Sequence, residues 1–249
     1  MNLSGTTTLV TGATRGIGRE LTRQLVASGG RVVAVGRDRD QLTSLAAEHG
    51  DLVHAWPVDL AEPAAVDAFV RDVAERRPDI SVVINNAGVQ TLTDFFADDP
   101  TALRPVLRRE IAVNLDAVVA LSTGLLPHLR RHPSAAIVTI TSGLALAPKR
   151  SAPVYCATKA AVRTFSRALR YQCQDAAPHV RVIDAVMPLV DTDMTLGRGS
   201  GKISPADAAA AVIAGIGRDS DEIHIGKVRL LRTLMRISPR LVHRVLRDS

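Results

Sequence analysis

Short apolar runs alternate with segments of helical periodicity along the whole of this 249-residue chain. Runs such as Arg31–Val35 and Val180–Val186 are rich in β-branched residues and predict strands buried on both faces. Between these runs, apolar residues recur every three or four positions, which is the spacing of one helix face. The predicted strands are Thr6–Thr11, Arg31–Val35, Leu52–Val58, Ile80–Ile84, Ala135–Thr141, Val180–Val186 and Glu222–Ile225. The predicted helices are Ile17–Ser28, Asp38–His49, Pro63–Arg76, a long region that ends at Arg131, Val154–Gln174 and Pro205–Gly215.

Repeated strand–helix–strand units predict an α/β fold with a parallel sheet, because parallel strands need long crossover connections. Right-handed crossovers favour a doubly wound, mostly parallel, seven-stranded sheet with helices on both faces, which is a Rossmann fold. The length fits one such domain, which we assign to residues 1–226. Residues 227–249 form a basic tail that is either part of this domain or a peripheral appendage. The polar stretch Asp94–Pro105 is predicted to be a loop.

Composition and charge restrict the classes of function. The chain is 46% hydrophobic but only 3% aromatic, so its core is aliphatic. The tail holds seven Lys or Arg and one acid, which equals the chain's whole net charge of +6 and leaves the body neutral. A neutral body argues against a nucleic-acid partner. Cys156 and Cys173 have no metal-ligand or redox spacing, so we expect reduced thiols, a cytoplasmic location and no metal site. We expect no signal peptide and no membrane-spanning helix.

The glycine-rich segment between the first predicted strand and helix has the spacing of a dinucleotide-binding turn. Gly12 allows a tight turn, Gly16 allows close approach of the backbone to a ligand, and Gly18 allows close packing of helix on sheet. The free N–H groups at the start of the helix suit a pyrophosphate. The alternative is an ordinary strand-to-helix connection.

Tyr155 and Lys159 are four residues apart on a predicted helix, so a phenol and an ammonium lie on one face. A nearby cation stabilises a phenolate, as a proton donor to a carbonyl requires. Ser142, at the end of the fifth predicted strand, supplies a hydroxyl. Taken alone, the spacing also fits two ordinary residues on a helix surface.

Considered together, these motifs resemble those of the short-chain dehydrogenase/reductase family, over residues 6–192. Within that family the chain looks most similar to the DltE-like oxidoreductases. The residues that carry the resemblance are TGATRGIG at 11–18, NNAG at 85–88, Asn114, Ser142, and Tyr155 with Lys159. The resemblance implies a hydride transfer between a nicotinamide cofactor and a small-molecule carbonyl or alcohol, in a homodimer or homotetramer.

The resemblance also implies a role for each catalytic residue. Tyr155 is the acid/base, and Lys159 lowers its pKa and holds the nicotinamide ribose. Ser142 orients the substrate oxygen, and Asn114 anchors a water in the proton relay. A rival interpretation is a dinucleotide-binding regulatory or membrane-associated scaffold without physiological catalysis. The presence of all four catalytic residues counts against it.

The cofactor is predicted to be NADP(H) rather than NAD(H). An acid at the end of the second strand would bind the ribose 2′-hydroxyl and repel a 2′-phosphate. Gly36 and Arg37 occupy this region instead, and Arg15 in the glycine turn can converge on it. The alternative is that Arg37 and Arg39 are ordinary solvated charges. The predicted cofactor-binding residues are Gly12, Thr14, Arg15, Gly16, Ile17, Gly18, Arg37, Asp59, Leu60, Asn86, Ala87, Gly88, Tyr155, Lys159 and Thr192.

Several of these assignments rest on the resemblance alone. Asp59 is the adenine contact by resemblance, and otherwise it caps the following helix. Thr192 matches the residue that holds the carboxamide. Leu189 replaces the family's usual glycine, so we expect it to reshape the wall beside the nicotinamide. Residues 193–204 are expected to form a lid over the substrate.

The tail departs from the family's usual ending. Its apolar residues, including Val228, Leu231 and Met235, have helical spacing that is interrupted at Ser238-Pro239. Such a basic amphipathic segment either packs on its own domain or a partner subunit, or lies on the anionic inner face of a membrane. Packing is the more common use of such a stripe.

Overall fold

A computed structural model describes residues 1–248 and contains a seven-stranded sheet in which every strand pair is parallel. The strands are β1 (Thr7–Thr11), β2 (Arg31–Gly36), β3 (Val53–Pro57), β4 (Ile80–Asn85), β5 (Ala135–Ser142), β6 (Val180–Met187) and β7 (Glu222–His224). Their order across the sheet is β3-β2-β1-β4-β5-β6-β7. This arrangement confirms the predicted doubly wound fold.

Helices cover both faces of the sheet. They are α1 (Gly16–Ala27), α2 (Arg39–His49), α3 (Pro63–Arg76), α4 (Pro100–Ile111), α5 (Ala117–Leu129), α6 (Pro153–Ala176), α7 (Pro205–Gly217), α8 (Val228–Ile237) and α9 (Pro239–Leu246). One core lies between the sheet and α1, α2 and α7, and the other lies between the sheet and α3, α5 and α6. Nearly all the large side chains in both cores are aliphatic, as the composition indicates.

The chain reverses its direction of winding between β1 and β4, which are neighbours in the sheet. The crevice outside the carboxyl ends of these two strands is the usual place for a ligand in an open α/β sheet. The glycine turn follows β1 and the NNAG segment begins at the end of β4, so the fold brings both motifs to this crevice.

The boundary predicted around Asp94–Pro105 was wrong, because α4 already begins at Pro100. Asp99 caps this helix by accepting a hydrogen bond from the Thr101 N–H at 2.9 Å, and Pro100 occupies the first helical position, where no N–H is needed. These two features start the helix in spite of Pro105 within it. A π-helical turn at Ala112–Asp116, which the sequence did not predict, separates α4 from α5.

The continuous helical segment Pro100–Leu129 is long and apolar enough to span a membrane by length and composition. From the sequence we expected no helix with this length and composition. However, Leu121, Leu125 and Leu129 on this segment are completely buried in the core beside α3 and the sheet. The apolar residues of the segment are therefore explained by packing in the core.

The tail packs on the body through one face. Val228 in α8 and Val242 in α9 are 2% and 6% exposed. A Cβ atom placed on Gly143 would lie 3.1 Å from Leu231 Cδ2, so α8 rests against the residue that follows β5. The Arg150 N–H also donates to the Arg247 carbonyl oxygen at 2.9 Å. The inner face of the tail thus packs on its own domain, as we expect more commonly of such a stripe than contact with a membrane.

Candidate active site

The glycine turn after β1 is fixed by the polar residues after β4. Asn86 Nδ2 donates to the Thr11 carbonyl oxygen at 2.9 Å, and the Asn86 N–H donates to Thr11 Oγ1 at 3.0 Å. A Cβ atom on Gly18 would lie 2.0 Å from the Gly12 carbonyl oxygen, closer than any side chain allows. Gly12 itself has a φ of +64°, in the region that favours glycine. These contacts force the chain into a tight loop at the start of α1.

This loop has the features that a dinucleotide pyrophosphate needs. Gly16 has a φ of +52°, and a Cβ atom there would lie 3.1 Å from Thr192 Cγ2, so its missing side chain leaves room beside Thr192. Within residues 1–248, no side-chain hydrogen bond caps the first turn of α1 after Arg15. The N–H groups of this turn are thus left for an anionic ligand.

A cleft of about 540 Å³ runs along the carboxyl edge of the sheet. Of the predicted site residues, it is lined by Gly12, Thr14, Arg15, Gly16, Ile17, Arg37, Asp59, Leu60, Asn86, Ala87, Gly88, Ser142, Tyr155, Lys159 and Thr192. Gly18 and Asn114 lie behind the cleft wall and contact residues that form it. The structure therefore brings the candidate residues to one site, in the crevice that the fold predicts.

At the end of the cleft beside β2, two arginine side chains lie among the lining residues. Arg37 is exposed at the cleft, and Arg15 lies across from it with Nη1 3.9 Å from an Asp193 carboxylate oxygen. Asp38 also lines the cleft, but its carboxylate caps α2 by accepting hydrogen bonds from the backbone N–H and the side chain of Gln41 at 3.0 and 2.9 Å. The arginines are the groups here that remain available to a phosphate.

Asp59 lines the cleft, but it does not cap α3, whose N-cap residue is Glu62. Its carboxylate accepts from the Ala61 N–H at 3.0 Å, which fixes the turn before α3. It also accepts two hydrogen bonds from Arg109 at 2.9 and 3.0 Å. Desolvation opposes ionisation of Asp59, but these hydrogen bonds together lower the pKa of its carboxyl. Arg109, on α4, was not foreseen because no local pattern links it to the end of β3.

Asn114 lies in the π-helical turn and is completely buried. Its Oδ1 accepts from the Val89 N–H at 2.9 Å, and its Nδ2 donates to the Val89 carbonyl oxygen at 2.8 Å and to Thr158 Oγ1 at 3.3 Å. Single π turns are frequent at functional sites. Asn114 thereby holds the segment after β4 against α6, directly behind the cleft.

The three other catalytic candidates meet at the opposite end of the cleft from Arg37. Lys159 is 4% exposed, with Nζ 5.8 Å from the centre of the Tyr155 ring. The same Nζ donates to the Ile140 carbonyl oxygen at 2.9 Å. A side-chain hydrogen bond links Tyr155 to Ser142, whose Oγ also accepts from the Leu144 N–H at 3.1 Å. The helical face predicted for Tyr155 and Lys159 is thus directed at Ser142.

The pKa values differ from the prediction. Burial raises the pKa of Tyr155 to about 12, and the hydrogen bond with Ser142 offsets this only in part. Burial also lowers the pKa of Lys159 to about 8. The expected lowering of the Tyr155 pKa by Lys159 is therefore not found, because the cost of dehydrating a phenolate outweighs the attraction of the ammonium. At neutral pH, Tyr155 is a protonated phenol beside a mostly protonated lysine.

Glu110 is a second residue that sequence reasoning missed. It is completely buried, its Oε2 accepts from the Thr91 N–H at 3.1 Å, and burial raises the pKa of its carboxyl. Its position four residues before Asn114, on the same helix face, was the available signal. Its carboxylate interacts electrostatically with Lys159, so it influences the charge of the site from behind the cleft wall.

Leu189 was expected to reshape the wall beside the nicotinamide, but it does not line the cleft. A Cβ atom on Gly199 would lie 2.6 Å from Leu189 Cδ2, so Leu189 lies against the segment predicted to be a lid. Within this segment, Lys202 donates to Asp191 Oδ1 at 3.1 Å and to the Thr195 carbonyl oxygen at 2.7 Å. Among residues 1–248, no cluster of His, Cys, Asp and Glu has the geometry of a metal site.

Comparison with known proteins identifies the family of this chain. The family model described as short chain dehydrogenase matches residues 6–202. The chain is 38% identical over 194 residues to the uncharacterized oxidoreductase DltE of Bacillus subtilis, covering 78% of this chain and 75% of that protein. A short chain dehydrogenase from Burkholderia cenocepacia, solved in complex with NADP, matches with a TM-score of 0.86 at 27% identity over 99% of both chains.

A short-chain dehydrogenase from Sphingobium yanoikuyae in complex with NADPH matches with a TM-score of 0.78 at 26% identity, over 94% of both chains. The family match spans well over half of this chain and includes the glycine turn, Asn114, Ser142, Tyr155 and Lys159. The chain therefore belongs to the short-chain dehydrogenase/reductase family, as a DltE-like oxidoreductase that acts on alcohol or carbonyl groups with a nicotinamide cofactor.

Proposed function

We propose that the protein is an NADP(H)-dependent carbonyl reductase or alcohol dehydrogenase in which Tyr155 transfers the proton. The observation that carries this proposal is the convergence of Tyr155, Ser142 and Lys159 at one end of the cleft that the glycine turn and Arg37 border at the other. When bound in this cleft, the dinucleotide supplies or accepts the hydride.

The protonation of Tyr155 at neutral pH suits it to act as the proton donor when a carbonyl is reduced. With a pKa raised to about 12, its phenol keeps its proton and is ready to donate it to the oxygen of a carbonyl substrate. Ser142 holds the phenol and offers its hydroxyl to the same substrate oxygen. Lys159 supplies positive charge that stabilises the phenolate formed after the donation.

The charges near β2 favour NADP(H) over NAD(H). Arg37 and Arg15 border the place where a ribose 2′-phosphate would lie, and β2 ends in Gly36 rather than in an acid. The nearby Asp38 carboxylate is engaged with Gln41. The relatives from Burkholderia cenocepacia and Sphingobium yanoikuyae, solved with NADP and NADPH, support the same choice. The N–H groups of the first turn of α1 would hold the pyrophosphate.

We also propose a substrate class, a location and an assembly for the enzyme. The substrate is a small carbonyl or alcohol that passes the lid at residues 193–204. We place the enzyme in the cytoplasm as a homodimer or homotetramer, in line with its two buried free thiols and with the assembly common in the family.

Replacement of the phenol tests the mechanism. In Tyr155→Phe, NADPH-dependent reduction across a panel of ketones and aldehydes should fall by a factor of about 10² to 10⁴, while the affinity for NADPH stays within about threefold. Tyr171→Phe is the matched control, since Tyr171 is the chain's one other tyrosine and is 57% exposed. An unchanged rate in Tyr155→Phe would refute the assigned role. Retained NADPH binding without activity in the wild-type protein would favour a scaffold.

A further inference from the structure

The two tail helices have a second apolar face beyond the one that packs on the body. Positions 230, 234 and 237 of α8 lie on one side of the helix, about 120° or more from the buried Val228. Positions 230 and 237 lie about 100° or more from the half-buried Leu231, and position 234 lies about 60° from it. α9 repeats this arrangement. The exposed apolar side chains, here called the outer stripe, are Leu230 (60% exposed), Leu234 (41%), Ile237 (75%), Leu241 (55%) and Val245 (67%).

The flank of α8 between the inner face and the outer stripe is basic. Beside it lies a cavity of about 440 Å³, here called the arginine cleft, whose charged and titratable lining is Arg218, Arg229, Arg232, Arg236, Glu222 and His224. Glu222 is the one acid in this lining, and Arg163 and Arg167 hold one of its carboxylate oxygens at 3.2 and 2.8 Å. The arginine cleft therefore has a net positive charge that suits an anionic ligand.

His224 adds a buried hydrogen-bonding group to the arginine cleft. Its side chain is 8% exposed, and its Nε2 has no hydrogen-bond partner within residues 1–248, although a Glu222 carboxylate oxygen lies 3.5 Å away. Burial is the largest of the effects that lower the pKa of His224, so the imidazole is neutral at pH 7. A neutral Nε2–H can donate to a phosphate oxygen that the surrounding arginines attract.

We propose that α8 and α9 form the contact of this enzyme with an anionic membrane surface, with the outer stripe in the headgroup region and a lipid phosphate in the arginine cleft. Exposed leucines beside arginines are the composition of helices that lie in this interface. Each basic residue near such a surface adds to the attraction. Charge argues against a second copy of the chain as the occupant. Two tails joined at the outer stripe would bring two segments of net charge +6 together.

Sedimentation with vesicles tests the proposal on the full chain. We expect the wild-type protein to bind vesicles of phosphatidylcholine with about 30% phosphatidylglycerol at least tenfold more tightly than vesicles of phosphatidylcholine alone, and to be released by about 0.5 M NaCl. The outer-stripe variant Leu230→Ser/Leu234→Ser/Ile237→Ser should lose this binding. The double variant Leu52→Ser/Val106→Ser, at residues 40% and 46% exposed outside the tail, is the control for Leu230→Ser/Ile237→Ser and should bind like the wild type.

A second pair of variants tests the arginine cleft. Arg232→Ser/Arg236→Ser should weaken vesicle binding by about 25-fold, or about fivefold for each arginine. The control pair Arg71→Ser/Arg104→Ser removes the same charge from exposed positions on α3 and α4 and should have a smaller effect. NADPH binding and thermal unfolding of each variant should match the wild type. If the first stripe variant unfolds, Leu241→Ser/Val245→Ser on α9 replaces it.

Three results would overturn the proposal. One is equal binding of the wild-type protein to both kinds of vesicle, and another is full binding by both stripe variants. The third is a wild-type protein that does not bind vesicles but does one of two other things. If it binds inorganic phosphate instead, the arginine cleft is a site for a small anion. If it self-associates through the outer stripe, as light scattering would detect, the outer stripe is an interface between copies.

Discussion

The side-chain amide of Asn114 pairs with both backbone polar groups of Val89. It accepts from the Val89 N–H at 2.9 Å and donates to the Val89 carbonyl oxygen at 2.8 Å. The pair joins the π-helical turn after α4 to the segment that follows Gly88 at the cleft. Asn114 therefore acts as a positioning residue for the wall of the site, in addition to any water it holds for proton transfer.

Replacement of Asn114 should cost stability as well as activity. In Asn114→Ala, both Val89 groups lose their partner in a buried place, where each unpaired group costs about 1–3 kcal/mol. We expect the free energy of unfolding in urea to fall by about 3 kcal/mol. Asn114→Asp keeps an acceptor for the Val89 N–H but buries a carboxylate against the Val89 carbonyl oxygen, so it should lose at least as much stability at pH 7. A change below about 0.5 kcal/mol in Asn114→Ala would mean that the pair contributes little.

Lys159→Met should abolish turnover but stabilise the fold at pH 7. Burial lowers the pKa of Lys159 from 10.5 to about 8, so the charged side chain costs the folded state about 3 kcal/mol at neutral pH. Loss of the hydrogen bond to Ile140 offsets about 1 kcal/mol of that gain. The net increase in the free energy of unfolding should be about 2 kcal/mol.

The pH dependence of this gain identifies its origin. Between about pH 8 and 10.5 the unfolded chain holds the Lys159 proton and the folded chain does not, so wild-type stability rises with pH and the advantage of Lys159→Met shrinks. Lys227→Met, at an exposed lysine, is the control and should change stability by less than about 0.5 kcal/mol. A gain in Lys159→Met that is constant with pH would contradict the desolvation argument.

The two directions of the reaction should respond to pH in opposite ways. Tyr155, with a pKa of about 12, stays protonated below that value, so reduction should be flat from about pH 6 to 7.5. Above about pH 8, reduction should decline as Lys159 loses its charge. Oxidation of the alcohol needs the phenolate and should rise by up to about tenfold per pH unit between pH 7 and 9. Parallel kcat/KM profiles for both directions would contradict this assignment.

Arg37→Asp should change the cofactor preference from NADPH toward NADH. Loss of one charge-assisted hydrogen bond to a phosphate, together with the new repulsion, should raise the KM for NADPH by about 10- to 100-fold. The KM for NADH should fall or stay unchanged. Arg39→Asp is the matched control, since Arg39 is exposed near the start of α2 and is not among the residues that line the cleft. An equal effect of both variants would indicate general electrostatics rather than a phosphate contact.

The parts of the site that follow the strands directly were predictable. The glycine turn has a local physical cause, because a side chain at Gly18 would meet the Gly12 carbonyl oxygen 2.0 Å away. Helical spacing places Tyr155 and Lys159 on one face, and the resemblance to a known family assigns their roles. Arg109 was not predictable, because it reaches Asp59 across a distance in sequence that no periodicity encodes. For Glu110, the spacing from Asn114 indicated its helix face but not its hydrogen bond with Thr91.

In the tail, too, some features were predictable from the sequence and others were decided only by the tertiary structure. Helical spacing identified an amphipathic segment with a break at Ser238-Pro239, and the structure has α8 end at Ile237 and α9 begin at Pro239. Spacing could not decide between packing and a free apolar surface. The contact of Leu231 with Gly143 fills the inner face and leaves Ile237 75% exposed on the other.

The sequence by itself determined the order of the strands and of most helices and the turn at Gly12–Gly18, because these depend on local sterics and on the periodicity of side chains along the backbone. Most of the residues that meet at the carboxyl edge of the sheet were identified from the resemblance to a known family and not from periodicity. The tertiary structure alone decided the ionisation of Tyr155 and Lys159. Their pKa values depend on how much water the surrounding elements exclude, and that exclusion is a property of the folded packing.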